Sequence, residues 1–164
     1  MTGGGGQRRG RAIAMSKEEL DLFLARQRTC RVATSGASGP HVVPLWFFWD
    51  GESIWLNSVV RSQRWHDLRR DGRVAIVIDA GDSYGELRGV EIRGDAVAVG
   101  EVPRVGQPVP ELVGPEAGFH RKYRDPGAAI AYDDKHAWLR VTPRKLTSWD
   151  FRKMARRNAG MEQG

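Results

Sequence analysis

Residues 41–58 read HVVPLWFFWDGESIWLNS. An apolar run rich in aromatic and β-branched residues meets Asp50-Gly51, and a second such run turns straight back. Asp-Gly between two strand-like runs is the strongest short-range mark of a β-hairpin, because the tight turn needs residues that tolerate positive φ. Side chains alternate along a strand, so Trp46 and Phe48 share one face of the first run, and Phe47 and Trp49 share the other. One face can enter a core while the other meets a flat ligand or a partner surface. Core packing is the default for aromatic residues at this spacing. Four tryptophans, Trp46, Trp49, Trp55 and Trp65, nevertheless fall close together, and so much aromatic surface is the kind that a homodimer covers. Pro44 sits inside the first run. Proline donates no ladder bond, so this strand is locally an edge, or its backbone faces something other than a strand.

The pattern continues on both sides. Before the hairpin come CRVAT, from Cys30, and the loop SGASGP. Earlier still, Ser16 and Glu19 have the spacing of a capping box, and Leu20, Phe23 and Leu24 follow on one helical face. After the hairpin, RSQRWHDLRRDGR (61–73) reads as a compact helical turn dense in Arg, followed by the strand RVAIVID and the polar loop AGDSYGELR. GVEIRGDAVAVGE (89–101) is a long strand whose glycines, 89, 94 and 100, mark bulges or bends. Residues 102–115 hold four of the eight prolines and are expected to be irregular. GPEAGFHRKYRDPGAAIAYDD (114–134) reads as two short helices broken at Pro126, and HAWLRVTP and RKLTSWDF as two final strands.

The strand count is about six or seven, in meandering order, with helices inserted after the third and the fifth. Strand and helix do not alternate regularly, and no GxGxxG follows the first strand, which disfavours a doubly wound nucleotide fold. A mainly β, closed antiparallel barrel with peripheral helices is expected. Residues 1–14 are expected to be a disordered, basic, Gly-rich tail, residues 15–151 one domain, and residues 152–164 a basic C-terminal tail.

The net charge of +6 belongs to the ends. Residues 1–15 and 152–164 each carry three net positive charges, so residues 16–151 are formally neutral. Basic tails bind polyanions weakly, but the neutral body argues against a nucleic-acid-binding module. No apolar run approaches the roughly 18 residues of a membrane span. The N-terminus lacks the apolar stretch of a signal peptide. The single Cys30 excludes an internal disulfide and agrees with a reducing cytoplasm, where the chain is expected to reside.

The histidines 41, 66, 120 and 136 have no metal-ligand spacing, and no metal site is expected. A Walker loop, a GxSxG elbow and HExxH are absent. Cys30 lies in an apolar strand and reads as a small core residue rather than a nucleophile. Chemistry concentrates instead at the Arg turn. Asn57, Ser58 and Ser62 offer polar side chains, and Arg64 stands beside the start of the short helix QRWHDLRRD. A helix N-terminus with a serine and an arginine suits a phosphate. Solvated surface is the competing explanation, and it is preferred for Arg69 and Arg70.

The ordered set Gly39-Pro40, Pro44-Leu45-Trp46-Phe47, Asp50-Gly51, Ser58, Ser62-Gln63-Arg64 and Asp67-Leu68-Arg69-Arg70-Asp71-Gly72-Arg73-Val74, with the later GVEIRGDAVAV, resembles the signature of the pyridoxamine 5'-phosphate oxidase-like superfamily. Its members are flavin- and deazaflavin-binding split β-barrels. The resemblance covers residues 16–151. It implies a split barrel and a homodimer with two cofactor sites at the subunit interface. By the motif match, Ser62 and Arg64, helped by Gln63, would hold the cofactor phosphate. Val43, Pro44, Leu45 and Trp46 would lie along the tricyclic ring, Asn57, Ser58 and Val59 would contact the ribityl chain, and Trp149 would reach the partner's site. Arg64 replaces the commoner Lys and keeps the charge.

The end TSWDFRKMARRNAG does not match the basic motif with which authentic pyridoxamine 5'-phosphate oxidases read the substrate phosphate, so the resemblance favours the deazaflavin-dependent reductase branch. It implies an oxidoreductase that moves hydride between coenzyme F420, favoured over FMN, and a small conjugated substrate. The cofactor would carry the chemistry while the protein orients it and excludes water. Arg61, Arg69, Arg121, Lys122 and Arg124 would form a basic rim for the polyglutamate tail of F420. A non-catalytic flavin- or haem-binding split barrel and a pyridoxamine 5'-phosphate oxidase-type FMN oxidase are the alternatives.

Overall fold

A computed structural model describes residues 10–155. Its order is α1 (Lys17–Arg26), β1 (Thr29–Gly36), β2 (Gly39–Trp49), β3 (Ile54–Val59), α2 (Gln63–Arg70), β4 (Arg73–Ala80), β5 (Arg88–Val99), α3 (Pro110–Tyr123) and β6 (His136–Asp150). The strands close into an antiparallel barrel in the order β1-β2-β3-β6-β5-β4, with β1 returning to β4. The expected class and helix placement are therefore observed. No helix among the described residues is long and apolar enough to cross a membrane.

Local chemistry sets the ends of the elements. The Ser16 hydroxyl accepts from the N–H of Glu19, and the Glu19 carboxylate accepts from the N–H of Ser16, which completes the capping box of α1. Leu20, Phe23 and Leu24 then face the barrel. Gly51 has φ 103°, the positive value that the hairpin turn requires. The Asp50 carboxylate accepts from the N–H groups of Glu52 and Ser53, fixing that turn.

The barrel interior is filled by alternate residues of the strands. Val32, Phe47, Ile54, Leu56, Ile76 and Ile92 are fully buried there. Burying each such side chain is worth about 1.5–3 kcal/mol. A second, smaller cluster lies outside the barrel wall, where Trp55, Val99 and Trp138 meet Leu112 of α3.

Two features of the hairpin strand position the site. β2 pairs with β3 only at Phe47–Trp49, opposite Ile54–Leu56, whereas its first part, through Pro44, pairs with β1 alone. Pro44 thus sits on a local edge, as its missing donor demands. Phe47 points inward and is fully buried, while Trp46 points outward and is 44% exposed.

Three expectations for the C-terminal half are corrected. HAWLRVTP and RKLTSWDF are one strand, β6. A register shift at Arg93/Gly94 carries the ladder past Pro143, and a Cβ at Gly94 would lie 2.2 Å from the Thr142 carbonyl oxygen, so only glycine allows that approach. The proline-rich stretch is not irregular throughout, since α3 begins at Pro110 and runs through Pro115. Proline at the first helical position costs nothing, and burial of Leu112, Pro115 and Glu116 offsets the bond that Pro115 forgoes. No second helix follows Pro126; residues 124–135 are without regular structure.

Residues 10–14, grouped with the N-terminal tail in the sequence, meet the barrel. The Ile13 carbonyl accepts from the N–H of Asp150, and the Ala14 carbonyl accepts from Lys153 Nζ. The remaining tail residues, 1–9 and 156–164, lie outside the described residues.

Candidate functional site

A cavity of about 730 Å³ opens between the outer face of the barrel and the insert that carries α3. That volume lies within the usual range for small-molecule sites. Its barrel side is the local edge of β2, Pro44 to Trp46, with Asn57 of β3 and Trp138 of β6. Its far side is Glu116, Phe119 and His120 of α3 and the irregular chain that follows. The insert is therefore a wall of the cavity.

The aromatic floor is braced from behind. Trp46 stacks on Tyr123 at 4.4 Å with the rings 8° from parallel. Tyr123 is fixed in turn. Its hydroxyl accepts from the N–H of Phe47 at 3.0 Å and can donate to the carbonyl of Arg28 at 2.7 Å or of Phe47 at 2.8 Å. Burial pushes the Tyr123 phenol up to about 12. The Arg28 guanidinium completes the stack over Tyr123. Trp46 is thus a rigid plate, half exposed beside the cavity.

The insert is held by a buried ion pair. Arg104 Nε donates to Glu116 Oε1 at 2.6 Å, and both side chains are almost wholly buried. Glu116 also accepts from Trp138 Nε1 at 3.0 Å and from the Tyr132 hydroxyl at 3.2 Å. Arg104 pairs further with Glu101. Glu116 first, then Glu101, holds the Arg104 guanidinium well above its ordinary value.

The residues expected to bind a cofactor fall into separate places. Pro44, Leu45, Trp46 and Asn57 line the cavity. Val43 pairs with Val32 of β1 and does not line it. Ser58 follows Asn57 on the strand and turns the opposite way, into the barrel end, where it is fully buried. There it accepts from Arg64 Nε at 3.3 Å and Nη2 at 3.0 Å. Val59 is exposed at the strand end, opposite His136. Ser62 is used by the fold: its hydroxyl donates to the Val59 carbonyl and accepts from the N–H of Trp65, capping α2. Gln63 donates to Asp67, which also accepts from the Thr34 hydroxyl. Trp149 lies across Gly89 of β5, where a Cβ would come within 2.6 Å of its ring. It does not line the cavity.

Three polar groups are left incompletely satisfied among the described residues: His41 Nδ1, which does not line the cavity, Asn57 Oδ1 and the Arg64 guanidinium. Arg64 is only 6% exposed, yet Ser58, a neutral acceptor, is its hydrogen-bond partner, and among the described residues no carboxylate pairs with it. Burial holds its guanidinium below the ordinary value. A buried arginine without an anion is costly, so an anionic group fits there. Asn57 Oδ1 is buried without a partner among the described residues, so a donor on a ligand in the cavity fits it. Arg64 and Ser58 do not line the cavity, so the place for an anion and the place for a donor lie on opposite sides of β3.

Of the basic rim, Arg61, Arg69, Arg121 and Arg124 are exposed. Lys122 is not part of it. Its Nζ turns inward to the Leu24 carbonyl at 3.0 Å, over the Phe47 ring, and burial pushes its ammonium down to about 8. Cys30 is fully buried, and burial pushes its thiol up to about 12, far from a reactive thiolate. Sequence reasoning missed Arg104, Glu116, Tyr132 and Trp138. Nothing local marks them, because they meet through the path of the insert.

The family profile of pyridoxamine 5'-phosphate oxidase matches residues 16–150. Among solved structures, the conserved hypothetical protein Rv2991 from Mycobacterium tuberculosis is 32% identical, with a TM-score of 0.74 over 91% of this chain and 93% of that one. An F420 reductase is 20% identical, with a TM-score of 0.58 over 77% of this chain and 94% of its own. The heme storage protein HutZ of Vibrio cholerae is 14% identical, with a TM-score of 0.65 over 81% of this chain and 95% of its own. The last two are likenesses of fold. No curated protein matches.

Proposed function

The chain belongs to the pyridoxamine 5'-phosphate oxidase family, and from that premise we propose that it is an oxidoreductase moving hydride between a flavin-type cofactor and a small, flat, conjugated substrate in the cavity beside Trp46. The observation that carries the reading is Arg64, a buried guanidinium with a neutral serine for a partner, at the start of α2 and next to the strand that walls the cavity. A cofactor phosphate supplies the missing anion, and charge-assisted bonds of that kind are the strong ones. When bound, the cofactor supplies hydride chemistry. The protein's part is to orient it against the braced Trp46 and to keep water out with the insert.

Coenzyme F420 is favoured over FMN because Arg124 at the cavity and the exposed Arg61, Arg69 and Arg121 offer charge to a polyglutamate tail. Two copies are proposed to pair across the outer face of β2, where Val42 is 65% and Trp46 44% exposed, with the cofactor sites at that interface and Trp149 reaching the partner's site.

Parallel titrations with F420, FMN and hemin, following tryptophan fluorescence, test the reading. Tight quenching by F420 or FMN is expected, and sedimentation at the same concentrations should report a dimer. Hemin alone quenching would favour a haem-binding protein, and silence from all three would overturn the cofactor site.

A further inference from the structure

Asp133 and His136 form a dyad on the cavity wall, where the insert enters β6. The two oxygens of Asp133 do different things. Oδ1 accepts from the N–H groups of Lys135 and His136, both at 3.1 Å, and locks the turn. Oδ2 lies 2.5 Å from His136 Nδ1. Burial raises the Asp133 carboxyl, but the Lys135 N–H and the His136 ring outweigh it and hold the group below its usual range. A carboxylate there favours a proton on Nδ1 and leaves Nε2 as the nitrogen that exchanges a proton. The backbone of His136 is fixed as well: its carbonyl accepts from the N–H of Arg104 at 2.8 Å, and it pairs with Val59 of β3. The side chain is 37% exposed, so water reaches the ring.

We propose that His136, oriented by Asp133, is the proton donor for reductions carried out in this cavity, a role that rests on the oxidoreductase reading above. Reduction of a conjugated C=C or C=O bond puts a hydride on one atom and a proton on the other. The hydride brings both electrons and comes from a reduced flavin or deazaflavin, which is oxidised. The proton leaves Nε2 of the His136 imidazolium as the new O–H or C–H bond forms. The ring is left neutral with Nδ1–H on Asp133, and water returns the proton to Nε2. The charged and titratable groups that line the cavity with the ring are Asp133, Tyr132, Glu116, His120, Arg124 and Arg104, and Lys135 precedes it in the chain.

The test loads full-length protein with whichever of FMN and F420 it retains, reduces it, and follows single-turnover reoxidation by cyclohex-2-en-1-one across about pH 5–9. His136→Gln should slow reoxidation about 10²–10⁴-fold and flatten its pH dependence, while cofactor affinity, which reports folding, is unchanged. Asp133→Asn should also slow reoxidation, and Asp133→Glu should restore it in part. A turn lock alone would leave the tautomer of the ring unchanged. In cofactor-free protein, ring ¹⁵N shifts should place the proton of the neutral ring on Nδ1, a preference that Asp133→Asn loses. Equal rates for wild type and His136→Gln at every pH would overturn the assignment. So would a wild type that reduces the enone no faster than free reduced cofactor does. If the wild type binds neither cofactor, the oxidoreductase reading fails first; binding with an indifferent His136→Gln sinks only the proton donor.

Discussion

Glu116 and Arg104 meet at 2.6 Å with both side chains almost entirely out of water, and the pair ties α3 to the chain that leads into it. Trp138 of β6 and Tyr132 of the irregular segment share the same carboxylate. One buried charge pair thus sets the far wall of the cavity. Breaking such a pair leaves an uncompensated charge. Glu116→Ala is expected to cost about 3 kcal/mol, the low end for a broken buried pair, because Glu101 still holds Arg104. Urea denaturation measures the loss. A change under half of that would mean the pair contributes little to holding the insert.

Arg64 makes a prediction of binding rather than stability. Arg64→Ala is expected to weaken cofactor affinity by roughly 1.5–3 kcal/mol, the scale of a charge-assisted hydrogen bond. Removing a desolvated charge whose partner is a neutral serine should cost the apo protein little. Fluorescence titration and a melting curve separate the two effects. Unchanged affinity would remove the phosphate from this end of the barrel.

Lys122 predicts a pH dependence of stability. Its ammonium titrates near about 8 in the folded protein and near about 10.4 in an unfolded chain. Between those values the unfolded state binds the extra proton, so this residue makes stability rise with pH across that window and penalises folding below it. Lys122→Met keeps the stem and removes the buried charge. The variant should be the more stable protein at neutral pH, with a flatter rise above about pH 8. Chemical denaturation of both proteins across that range is the measurement, and parallel profiles would show that the ammonium is well solvated.

Gly118 lets α3 lie against β2. A Cβ there would fall 2.2 Å from the Phe48 ring. Gly118→Ala is expected to destabilise by about 1–3 kcal/mol, the cost of overpacking, despite the better helix propensity of Ala. A neutral or raised melting temperature would mean that Phe48 rotates aside without loss.

Most of the fold was legible because its signals are local. The capping box at Ser16 and Glu19 spans one helical turn. Asp50-Gly51 fixes its hairpin through its own φ values and one carboxylate. Pro44 reports a missing partner by its own missing N–H. The cofactor motif was legible only as a list. Asn57 and Ser58 are neighbours in sequence, but strand alternation sends one to the cavity and the other to the barrel end, and Ser62 and Gln63 are taken up by the cap and by Asp67.

By itself the sequence determined the barrel class, helices after the third and fifth strands, the pairing of Trp46 with Phe48 and of Phe47 with Trp49 on opposite faces, and Arg64 as the candidate anion ligand. Each depends on periodicity, turn chemistry or residue type within a few positions. The tertiary structure decided that β6 is one strand, because Gly94 on β5 allows the ladder past Pro143. It decided that α3 persists through Pro115, because burial offsets a lost bond. It also brought Arg104, Glu116, Tyr132 and Trp138 to one carboxylate, and set Asp133 and His136 beside the edge of β2. Those contacts join residues far apart along the chain, and their free energy exists only once the barrel has closed and the insert has folded back on it.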